Sequence, residues 1–330
     1  MFKVVKKMEP ITHPDHCTDH LEWNESYYFV FYDKQNSLGG MTRLGFKPNK
    51  EEGMSFFFLF LPNGSAAGYF REQKVKDYNN NILKVGGVWH NYQSTSKLNY
   101  QFKGSMIFVQ NPEDLPKVRE QPKLISKTEK VHMDISFDPL NETYEYSEHM
   151  TPESLEIGRK AGDKHWEQIA ILSGNIQIGD TNYLIKNVLG QRDHTYGVRD
   201  WTSVGNWLYY VVWFNKNLAI NPAAIITDDG HLSTGGFLYK DGKNIPLKTI
   251  HVVDQQFRED GVFPISSELD LIDDLGNSHT LKARVGPIIP VPFIDREGNR
   301  SILVQSMGTF ELDGIKEGYG SFETLRRVTK

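Results

Sequence analysis

The sequence predicts an all-β protein, and three observations lead to this class. Aromatic residues make up 12% of the 330-residue chain, and Phe and Tyr favour strands over helices. Short apolar segments are separated by turn residues, as where residues 56–61 end at Pro62-Asn63-Gly64. Sustained helical periodicity is nearly absent, because only residues 152–160 have the pattern of two helical turns.

Clusters of Asp, Asn and Gly predict antiparallel hairpins in the second half of the chain. Each cluster follows a short apolar segment, and the clusters lie at residues 179–182, 228–230, 241–242 and 273–277. Such residues favour the tight turns that join neighbouring antiparallel strands.

The length of 330 residues favours two domains. Residues 111–130 are rich in Pro, Lys and Glu, which is typical of a linker or a long surface loop. Residues 147–164 form a second polar stretch. We therefore place the boundary near residue 160, which gives an N-terminal domain of residues 1–160 and a C-terminal domain of residues 161–330.

Composition and charge argue against several classes of partner. The net charge of −5 and the lack of a basic run disfavour nucleic acid. The longest apolar stretches are too short to span a bilayer, and residues 1–10 lack the apolar core of a signal peptide. The single cysteine, Cys17, precludes an internal disulfide and fits a reducing compartment. A cytoplasmic protein is expected, and its oligomeric state is left open.

Residues 190–201 carry the densest set of chemically capable side chains. They include two Arg-Asp dipeptides, a histidine, a tyrosine and a tryptophan, namely Arg192, Asp193, His194, Tyr196, Arg199, Asp200 and Trp201. Apolar, strand-like segments flank this motif on both sides, so its four charges are expected to be buried and paired. The motif is therefore interpreted as the functional site or as its immediate support.

Strand geometry predicts which side chains of the motif share a face. In a regular strand Arg192, His194 and Tyr196 lie on one face. Asp193 then lies on the opposite face, and Gly197 is expected to break the strand or to form a bulge.

Residues 56–61 and 207–214 are apolar on both faces of a strand. A sheet with one face in water alternates apolar with polar residues, so apolar material is expected on both sides of these strands. In the second segment Trp207, Tyr209 and Trp213 share a face. That face either packs against another domain or lines an apolar lumen for a lipophilic ligand.

The motif resembles the G-x-R-D-H-x-x-G-x-R-D-W signature of one branch of the two-barrel, lipocalin-like superfamily. This superfamily includes carotenoid hydratases of the hydroxyneurosporene synthase type and lipocalin-like cyclases that form decalin rings. Further matches cover most of the chain, at residues 24–29, 43–48, 165–168 and 317–323. The resemblance implies two tandem antiparallel β-barrels, lipocalin-like and packed on each other, with a hydrophobic pocket.

In the hydratases of this superfamily an Asp-His pair lies in an aromatic setting, and the matching positions here are Asp193 and His194. Arg192, Arg199 and Asp200 depart from that pattern. The resemblance implies a cofactor-independent protein that hydrates or cyclises an isoprenoid- or polyketide-like molecule, as a lyase or an isomerase. A non-catalytic carrier of such a molecule and a structural protein with filled barrels are the alternatives.

Chemistry of this kind needs a proton donor and rings that stabilise a carbocation. The candidate rings are Tyr196, Trp201, Trp207, Tyr209 and Trp213. Arginines beside Asp193 are expected to lower the pKa of its carboxyl group. His194, or Glu167 if burial raises its pKa, is then the better donor. In the alternative, the two arginines and two aspartates form an ion-pair network that only stabilises the fold.

Two further groups are candidates. Glu25 and Tyr27 start an early strand, either in the pocket or as packing residues with hydrogen-bonded polar tips. The N-terminal segment carries six metal-capable side chains, His13, Asp15, His16, Cys17, Asp19 and His20. Their spacing matches no established metal site, so a solvated segment is expected, although His16 or His20 could reach the pocket. No metal and no cofactor are expected, since nucleotide-binding and hydrolase motifs are missing.

Overall fold

The computed structural model describes residues 11–76, 78, 82–94, 97–199, 201–227 and 230–328. These residues form mainly antiparallel strands, which confirms the predicted all-β class. The chain divides into two compact units. The first comprises Met1–Glu145 and Lys164–Arg199, and the second comprises Tyr146–Asp163 and Asp200–Lys330.

The first unit is an antiparallel sheet that closes on itself. Its strands are β1 Trp23–Asp33, β2 Leu38–Lys47, β3 Glu52–Phe60, β4 Ala66–Lys74, β5 Ile82–Val85, β6 Val88–Ser94, β7 Lys97–Val109, β8 Ile125–Pro139, β9 Tyr144–Glu145, β10 Lys164–Ile178 and β11 Thr181–Val198. Pairing follows the order β4-β3-β2-β1-β11-β10-β8-β7, and residues 66–68 of β4 pair with residues 107–109 of β7. Strands β6 and β5 continue from β7, and β9 pairs with β10.

The second unit is a closed antiparallel barrel of eight strands. They are β12 Asn206–Asn215, β13 Leu218–Ile226, β14 Leu232–Lys240, β15 Lys243–Phe257, β16 Pro264–Asp273, β17 Ser278–Ile294, β18 Arg300–Leu312 and β19 Ile315–Val328. Each strand pairs with its neighbour in sequence, and β12 pairs with β19 to close the ring. Leu208, Tyr210 and Val212 of β12 pack in the core of this unit, as the predicted alternation requires.

Helices are few and short in the described part of the chain. The helix α1 spans Pro152–Gly158, where two helical turns were predicted, and Thr151 caps it by accepting a hydrogen bond from the backbone N–H of Ser154. The 3-10 helices are Pro14–His16, Pro48–Lys50, Pro112–Lys117, Pro122–Leu124, Tyr146–Glu148 and Arg159–Ala161. None of the described helices is long and apolar enough to cross a bilayer.

The predicted hairpin turns join β10 to β11, β14 to β15 and β16 to β17. In the fourth predicted turn, residues 228 and 229 lie outside the described residues. The prediction of a linker or loop over residues 111–130 is only partly right, because β8 begins at Ile125. The polar side chains at the start of β8 are largely exposed, so Lys and Glu there reach water from a strand.

The division into units differs from the boundary predicted near residue 160. The sequence predicts that the motif belongs to the C-terminal domain, but its strand β11 belongs to the first unit. Residues 189–198 of β11 pair with β1, and β10 pairs with β8, so these two strands complete the first barrel. The polar stretch at residues 147–164, where the sequence predicts the boundary, holds α1, which belongs to the second unit.

Aromatic side chains dominate the interior of the first unit. Tyr27, Phe29 and Phe31 alternate along β1 and belong to one buried cluster. The ring of Phe29 stacks on that of Tyr100, with 3.9 Å between centroids. Burial of each large apolar side chain contributes about 1.5–3 kcal/mol, so this cluster is a main source of the unit's stability.

Replacement of Gly236 by alanine is expected to destabilise the second unit by more than about 4 kcal/mol. Gly236 has a φ of 128°, and an added Cβ would lie 2.0 Å from the carbonyl oxygen of Asn221. Gly242→Ala is the control, because Gly242 has a φ of 87° and no heavy atom within 4 Å of the added Cβ. The Gly242→Ala substitution is expected to lower the free energy of unfolding by about 1–2 kcal/mol. Urea denaturation of both variants measures the difference, and equal losses would contradict the clash.

Candidate functional site

The motif lies near the end of β11, between β1 and β10. In one row of the sheet His194 is paired with Tyr27 on one side and with Trp166 on the other. In the next row on the same face of the sheet, Tyr196 is paired with Glu25. The register therefore brings an early strand and a late strand of the first unit together around the motif.

Strand alternation holds through the motif. Arg192, His194 and Tyr196 share the face of Tyr27 and therefore point into the first unit's core, whereas Asp193 lies on the opposite face. The predicted break or bulge at Gly197 is wrong, because the β1–β11 register continues to the end of β11. Gly197 has a φ of 130°, which glycine adopts without steric cost. Glycine therefore accommodates this local conformation while the strand keeps its register.

On the inward face, one carboxylate holds two histidines. His194 Nε2 lies 2.7 Å from Glu25 Oε1, and His13 Nδ1 lies 3.0 Å from the same oxygen. The backbone N–H of His13 also donates to Glu25, at 2.9 Å from Oε1 and 3.1 Å from Oε2. All three residues are buried, with exposed fractions of 0% for Glu25, 1% for His194 and 6% for His13. We call these three residues the inner cluster.

Aromatic rings surround the inner cluster. The ring of Tyr27 stacks on His194 at 4.4 Å between centroids, and Trp166 stacks on His13 at 5.0 Å. Tyr196 lies 4.8 Å from the ring of His13. The faces of such rings attract positive charge, so this setting suits a protonated imidazole or a cationic intermediate.

The charge state of Glu25 follows from its partners. Burial raises its pKa, but the hydrogen bonds from His13 and His194 and the charge of His194 outweigh burial and lower it from 4.5 to about 2. Glu25 is therefore ionised near neutral pH and accepts hydrogen bonds without donating any. Consequently, the two imidazole nitrogens that face Glu25 carry the protons.

The N-terminal segment, residues 11–22, delivers His13 to the inner cluster. The hydroxyl of Tyr27 donates to the backbone carbonyl of Ile11 at 2.6 Å. The side-chain amide of Asn49 donates to two carbonyls of the same segment, including that of His20 at 2.9 Å. These contacts hold both ends of the segment against the first unit.

The sequence predicts that His16 or His20 could reach the pocket, whereas the structure places His13 in the inner cluster. His16 follows in the same 3-10 turn, and its ring stacks on Tyr196 at 5.1 Å. Its side chain is 53% exposed, so it lies at the surface of the cluster.

A second group of polar side chains occupies the opposite face of β10 and β11. His165 Nδ1 lies 2.6 Å from Thr195 Oγ1, and its Nε2 lies 2.8 Å from Glu167 Oε1. The side-chain amide of Gln191 donates to the other oxygen of Glu167 at 2.6 Å. Asp193 shares this face, and we call these five residues the outer cluster.

The pKa of Asp193 shifts in the direction opposite to the prediction. Burial raises it from 3.8 to about 6, and the charge of Glu167 adds to this rise. The charges of His165, Arg199 and Arg43 lower it, but burial outweighs them. The sequence shows the neighbouring arginines but not the burial. Asp193 also cannot orient His194, because the two side chains lie on opposite faces of β11.

Glu167→Gln is expected to lower the pKa of Asp193 from about 6, because a neighbouring like charge is removed. Arg43→Gln is the matched control and is expected to raise it, since the charge of Arg43 lowers the pKa of Asp193 in the native protein. Carboxyl NMR titration measures both shifts.

A raised pKa disfavours the ionised folded state, so wild-type stability is expected to fall as pH rises from about 4 to about 6. A pKa of Asp193 near its ordinary value would contradict the assigned burial effect.

Two polar pairs lie in the next row of the inward face. Arg192 Nε donates to Gln168 Oε1 at 3.0 Å, and His90 Nε2 lies 3.1 Å from Thr42 Oγ1. Arg192 and His90 are both buried. Burial, together with the charge of Arg192, lowers the pKa of His90 from 6.5 to about 3, so His90 is neutral near neutral pH.

Among the described residues, the members of the predicted network of two arginines and two aspartates are divided between the two faces of β11. Arg192 points into the core, whereas Asp193 lies on the other face, where the charge of Arg199 acts on it. Asp200 lies outside the described residues. The motif therefore serves two separate polar groups, one on each face of β11.

Four aromatic residues predicted to bind ligand belong to the second unit. Trp207, Tyr209 and Trp213 lie on the face of β12 that points away from the core containing Leu208 and Tyr210. Trp201 stacks on Phe293, with 4.6 Å between ring centroids. In contrast, Tyr196, Glu25 and Tyr27 lie at the inner cluster in the first unit.

Both clusters offer side-chain atoms of the types that bind divalent transition metals. The three ligand atoms of the inner cluster lie within 4.8 Å of one another, and the same holds for His165, Glu167 and Asp193. The sequence predicts no metal, whereas the geometry would permit an ion at either place.

The residues at these clusters that were not identified as site residues from the sequence include Trp166, Thr195 and His13. Trp166 belongs to a stretch that matches the superfamily, and its position two residues before Gln168 on one strand face was a usable signal. Thr195 could have been placed opposite His194 by the same alternation. His13 had no local signal that distinguished it from the histidines at positions 16 and 20.

These features define a two-unit antiparallel β-protein whose first unit holds a buried histidine–carboxylate cluster. A family model described as "Domain of unknown function (DUF7064)" matches residues 10–328, so the chain belongs to this family. No protein with a curated function matches the chain in sequence.

Several solved structures are similar in fold. A protein of Nitrosomonas europaea described as an ATTH candidate has a TM-score of 0.62 and 10% identity, over 95% of this chain and 93% of that chain. CghA has a TM-score of 0.53 and 10% identity, over 93% of this chain and 88% of that chain. Kievitone hydratase from Nectria haematococca has a TM-score of 0.53 and 10% identity, over 92% of this chain and 89% of that chain. These likenesses confirm the fold of the two-barrel, lipocalin-like superfamily that the motif resemblance implied.

Proposed function

We propose that the first unit is a proton-transfer enzyme that hydrates or cyclises an unsaturated, largely apolar small molecule. The inner cluster carries the proposal, because the buried carboxylate of Glu25 holds His13 and His194 within hydrogen-bond distance among aromatic rings. An imidazole that is oriented by a carboxylate and shielded from water can deliver and retrieve a proton near neutral pH.

Each residue of the site has a distinct role in this proposal. Glu25 is a positioning residue, since its low pKa keeps it ionised and able to hold both imidazoles. His194 is the proton carrier and uses the ring nitrogen that does not face Glu25. Tyr27 and Trp166 present their rings beside His194, where a carbocation would be stabilised.

Both reactions balance without an oxidant or a reductant. In a hydration, the imidazole protonates one carbon of the double bond, water adds its oxygen to the other carbon, and one proton of that water returns to the imidazole. In a cyclisation, a second double bond supplies the electron pair, and a proton lost from the new ring returns to the imidazole. The enzyme would then be a lyase or an isomerase.

Two of the similar structures support a small-molecule substrate. One is named kievitone hydratase, and CghA has also been solved with Sch210972. They share the fold of this chain at about 10% identity, so they support the class of chemistry and leave the substrate to experiment.

A labelled-water screen tests the proposal. The purified protein is incubated with isoprenoid and polyketide-like alkenes in oxygen-labelled water and in deuterium oxide, and products are read by mass spectrometry. Hydration is expected to add one labelled oxygen, whereas cyclisation adds none but changes the retention time. Unaltered alkene held in a complex by native mass spectrometry would show a carrier instead. If the protein neither binds nor converts any of the alkenes, the barrel is filled and has a structural role.

The proposal includes a cytoplasmic location and independence from cofactors. Dialysis against a chelator is expected to leave turnover unchanged, because the proton carrier is a side chain. Turnover that is lost on dialysis and restored by a divalent ion would contradict this part of the proposal.

A further inference from the structure

At one end of the second unit's barrel, apolar side chains face inward and yet reach water. Strand alternation places Ile265 of β16 on the face of Leu269, and Leu232 of β14 on the face of Leu238. Leu269 and Leu238 are buried in the core, whereas Ile265 is 40% exposed and Leu232 is 43% exposed. Both exposed residues lie where their strands begin, which is at the same end of the barrel. We call it the open end.

The side chain of Arg326 crosses the open end. Arg326 lies near the end of β19, and it alternates with Phe322 of the core, so it faces inward. Its guanidinium carbon Cζ lies 4.3 Å from the ring centroid of Phe257, the last residue of β15. Strands β19 and β15 are four strands apart in the ring of eight. This contact therefore spans the lumen of the barrel.

Arg326 is a half-buried cation without an acidic partner among the described residues. It forms no ion pair with them, and its Nε has no hydrogen-bond partner there. Burial lowers the pKa of Arg326 from 12.5, but a guanidinium stays charged near neutral pH. A cation that has lost part of its hydration is costly without an anion, so this position favours an anion from outside the chain.

A second contact spans the lumen on the core side of Arg326. The hydroxyl oxygens of Tyr210 and Ser267 lie 3.0 Å apart. Tyr210 belongs to β12 and Ser267 to β16, which are also four strands apart in the ring. Tyr210 is paired with Phe322, four residues before Arg326 on β19. The two contacts therefore cross the barrel at different depths.

Thr324 lies between these two depths and provides an independent observation. It occupies the inward position between Phe322 and Arg326 on β19, and it is 0% exposed. Its hydroxyl has no hydrogen-bond partner among the described residues. Because buried hydroxyls are nearly always satisfied, this group marks the position of a polar atom that comes from a ligand or from water.

We propose that the open end of the second barrel binds an aliphatic carboxylic acid. The carboxylate pairs with the guanidinium of Arg326 and accepts a hydrogen bond from Thr324, because charge-assisted hydrogen bonds are the stronger ones. The backbones of these two residues are about 7 Å apart, so one carboxylate between the side chains can contact both. The hydrocarbon chain packs on Ile265 and Leu232, which removes their exposed surface from water. This site lies in the second unit, so it does not depend on the function proposed for the first.

The test compares two probes that differ only in the head group. Decanoate carries the carboxylate, whereas decanol has the same chain length without the charge. Isothermal titration calorimetry measures both affinities near neutral pH. Wild-type protein is expected to bind decanoate at least about tenfold more tightly than decanol.

Three variants assign this preference to the site. Arg326→Gln is expected to abolish it while changing decanol affinity less than about threefold. Thr324→Val is expected to weaken decanoate binding about tenfold without lowering the melting temperature, because its hydroxyl has no partner to lose in the free protein. Arg284→Gln is the matched control and should keep the preference, since Arg284 lies exposed on β17 of the same unit. Thermal melts establish that each variant is folded.

Photolabelling of the wild type locates the site without any variant. The probe is decanoic acid with a diazirine near the end of its chain, and mass spectrometry maps the adducts that excess decanoate prevents. These adducts are expected at residues 232–234 or 257–265, where the hydrocarbon chain packs. Adducts confined to the first unit would overturn the proposal even if Arg326→Gln does not fold.

Three affinity results would also overturn the proposal. They are equal affinities for decanoate and decanol, failure of both probes to bind, and a preference that survives in Arg326→Gln. The function proposed for the first unit is tested separately, because turnover in labelled water is expected to be the same in Arg326→Gln and in the wild type. Turnover without decanoate binding would remove only this site, and decanoate binding without turnover would remove only the enzyme.

Discussion

The Glu25→Gln variant is expected to lose about 3–5 kcal/mol of unfolding free energy near neutral pH. The physical reason is that two buried imidazoles would lose the carboxylate that accepts their hydrogen bonds, at 2.7 Å for His194 and 3.0 Å for His13. Urea denaturation of both proteins measures the loss. Glu22→Gln is the matched control, because Glu22 lies on the surface, where it pairs with Lys47 and Lys50. The Glu22→Gln substitution is expected to lower the free energy of unfolding by less than about 1 kcal/mol.

The pH dependence of this effect has a definite sign. The pKa of Glu25 is lowered from 4.5 to about 2 in the folded protein, so its ionised form stabilises the fold above about 4.5. That contribution is lost as pH falls from about 4.5 to about 2. The difference between wild type and Glu25→Gln is therefore expected to shrink over this range. A difference that stays constant across the range would show that the charge of Glu25 is not what stabilises the unit.

His194→Gln is expected to lower kcat by a factor of about 10²–10⁴ with little change in substrate affinity. The imidazole is the assigned proton carrier, and glutamine keeps a polar side chain without a group that titrates near neutral pH. Single-turnover kinetics with an alkene found in the labelled-water screen separates the chemical step from binding.

Two variants serve as controls for this result. Asp193→Asn changes the adjacent residue on the opposite face of β11, and it is expected to reduce kcat less than about tenfold. His279→Gln removes another histidine that contacts carboxylates, at Asp273 and Asp313 in the second unit, and should leave kcat unchanged. A larger loss in Asp193→Asn than in His194→Gln would move the chemistry to the outer cluster.

Local sequence patterns were sufficient for the fold class and for the faces of the motif. Turn residues and aromatic content predicted an all-β chain, and the period of two along a strand placed Arg192, His194 and Tyr196 on one face. The same pattern placed Asp193 opposite them. These properties depend on residues close together in the chain, which is why the sequence alone could give them.

The partners of the motif could not be predicted in the same way. Glu25 lies 169 positions before His194, and their contact depends on the pairing of β1 with β11, which no local pattern specifies. The rise in the pKa of Asp193 depends on burial, whereas the sequence displays only the charges beside it. The predicted boundary near residue 160 grouped Trp207 and Tyr209 with the motif, whereas the structure places the motif strand β11 in the first unit and these two residues in the second.

The assembly of the first unit from two separate chain segments has a consequence for synthesis. When the ribosome has released only Met1–Glu145, β1 and β8 lack the strands β11 and β10 that pair with them in the finished protein. The nascent chain therefore exposes two unpaired strand edges while Tyr146–Asp163, which belongs to the other unit, is being made. Neighbouring chains could pair with those edges during this interval, so chaperone protection matters most before Lys164–Arg199 emerges.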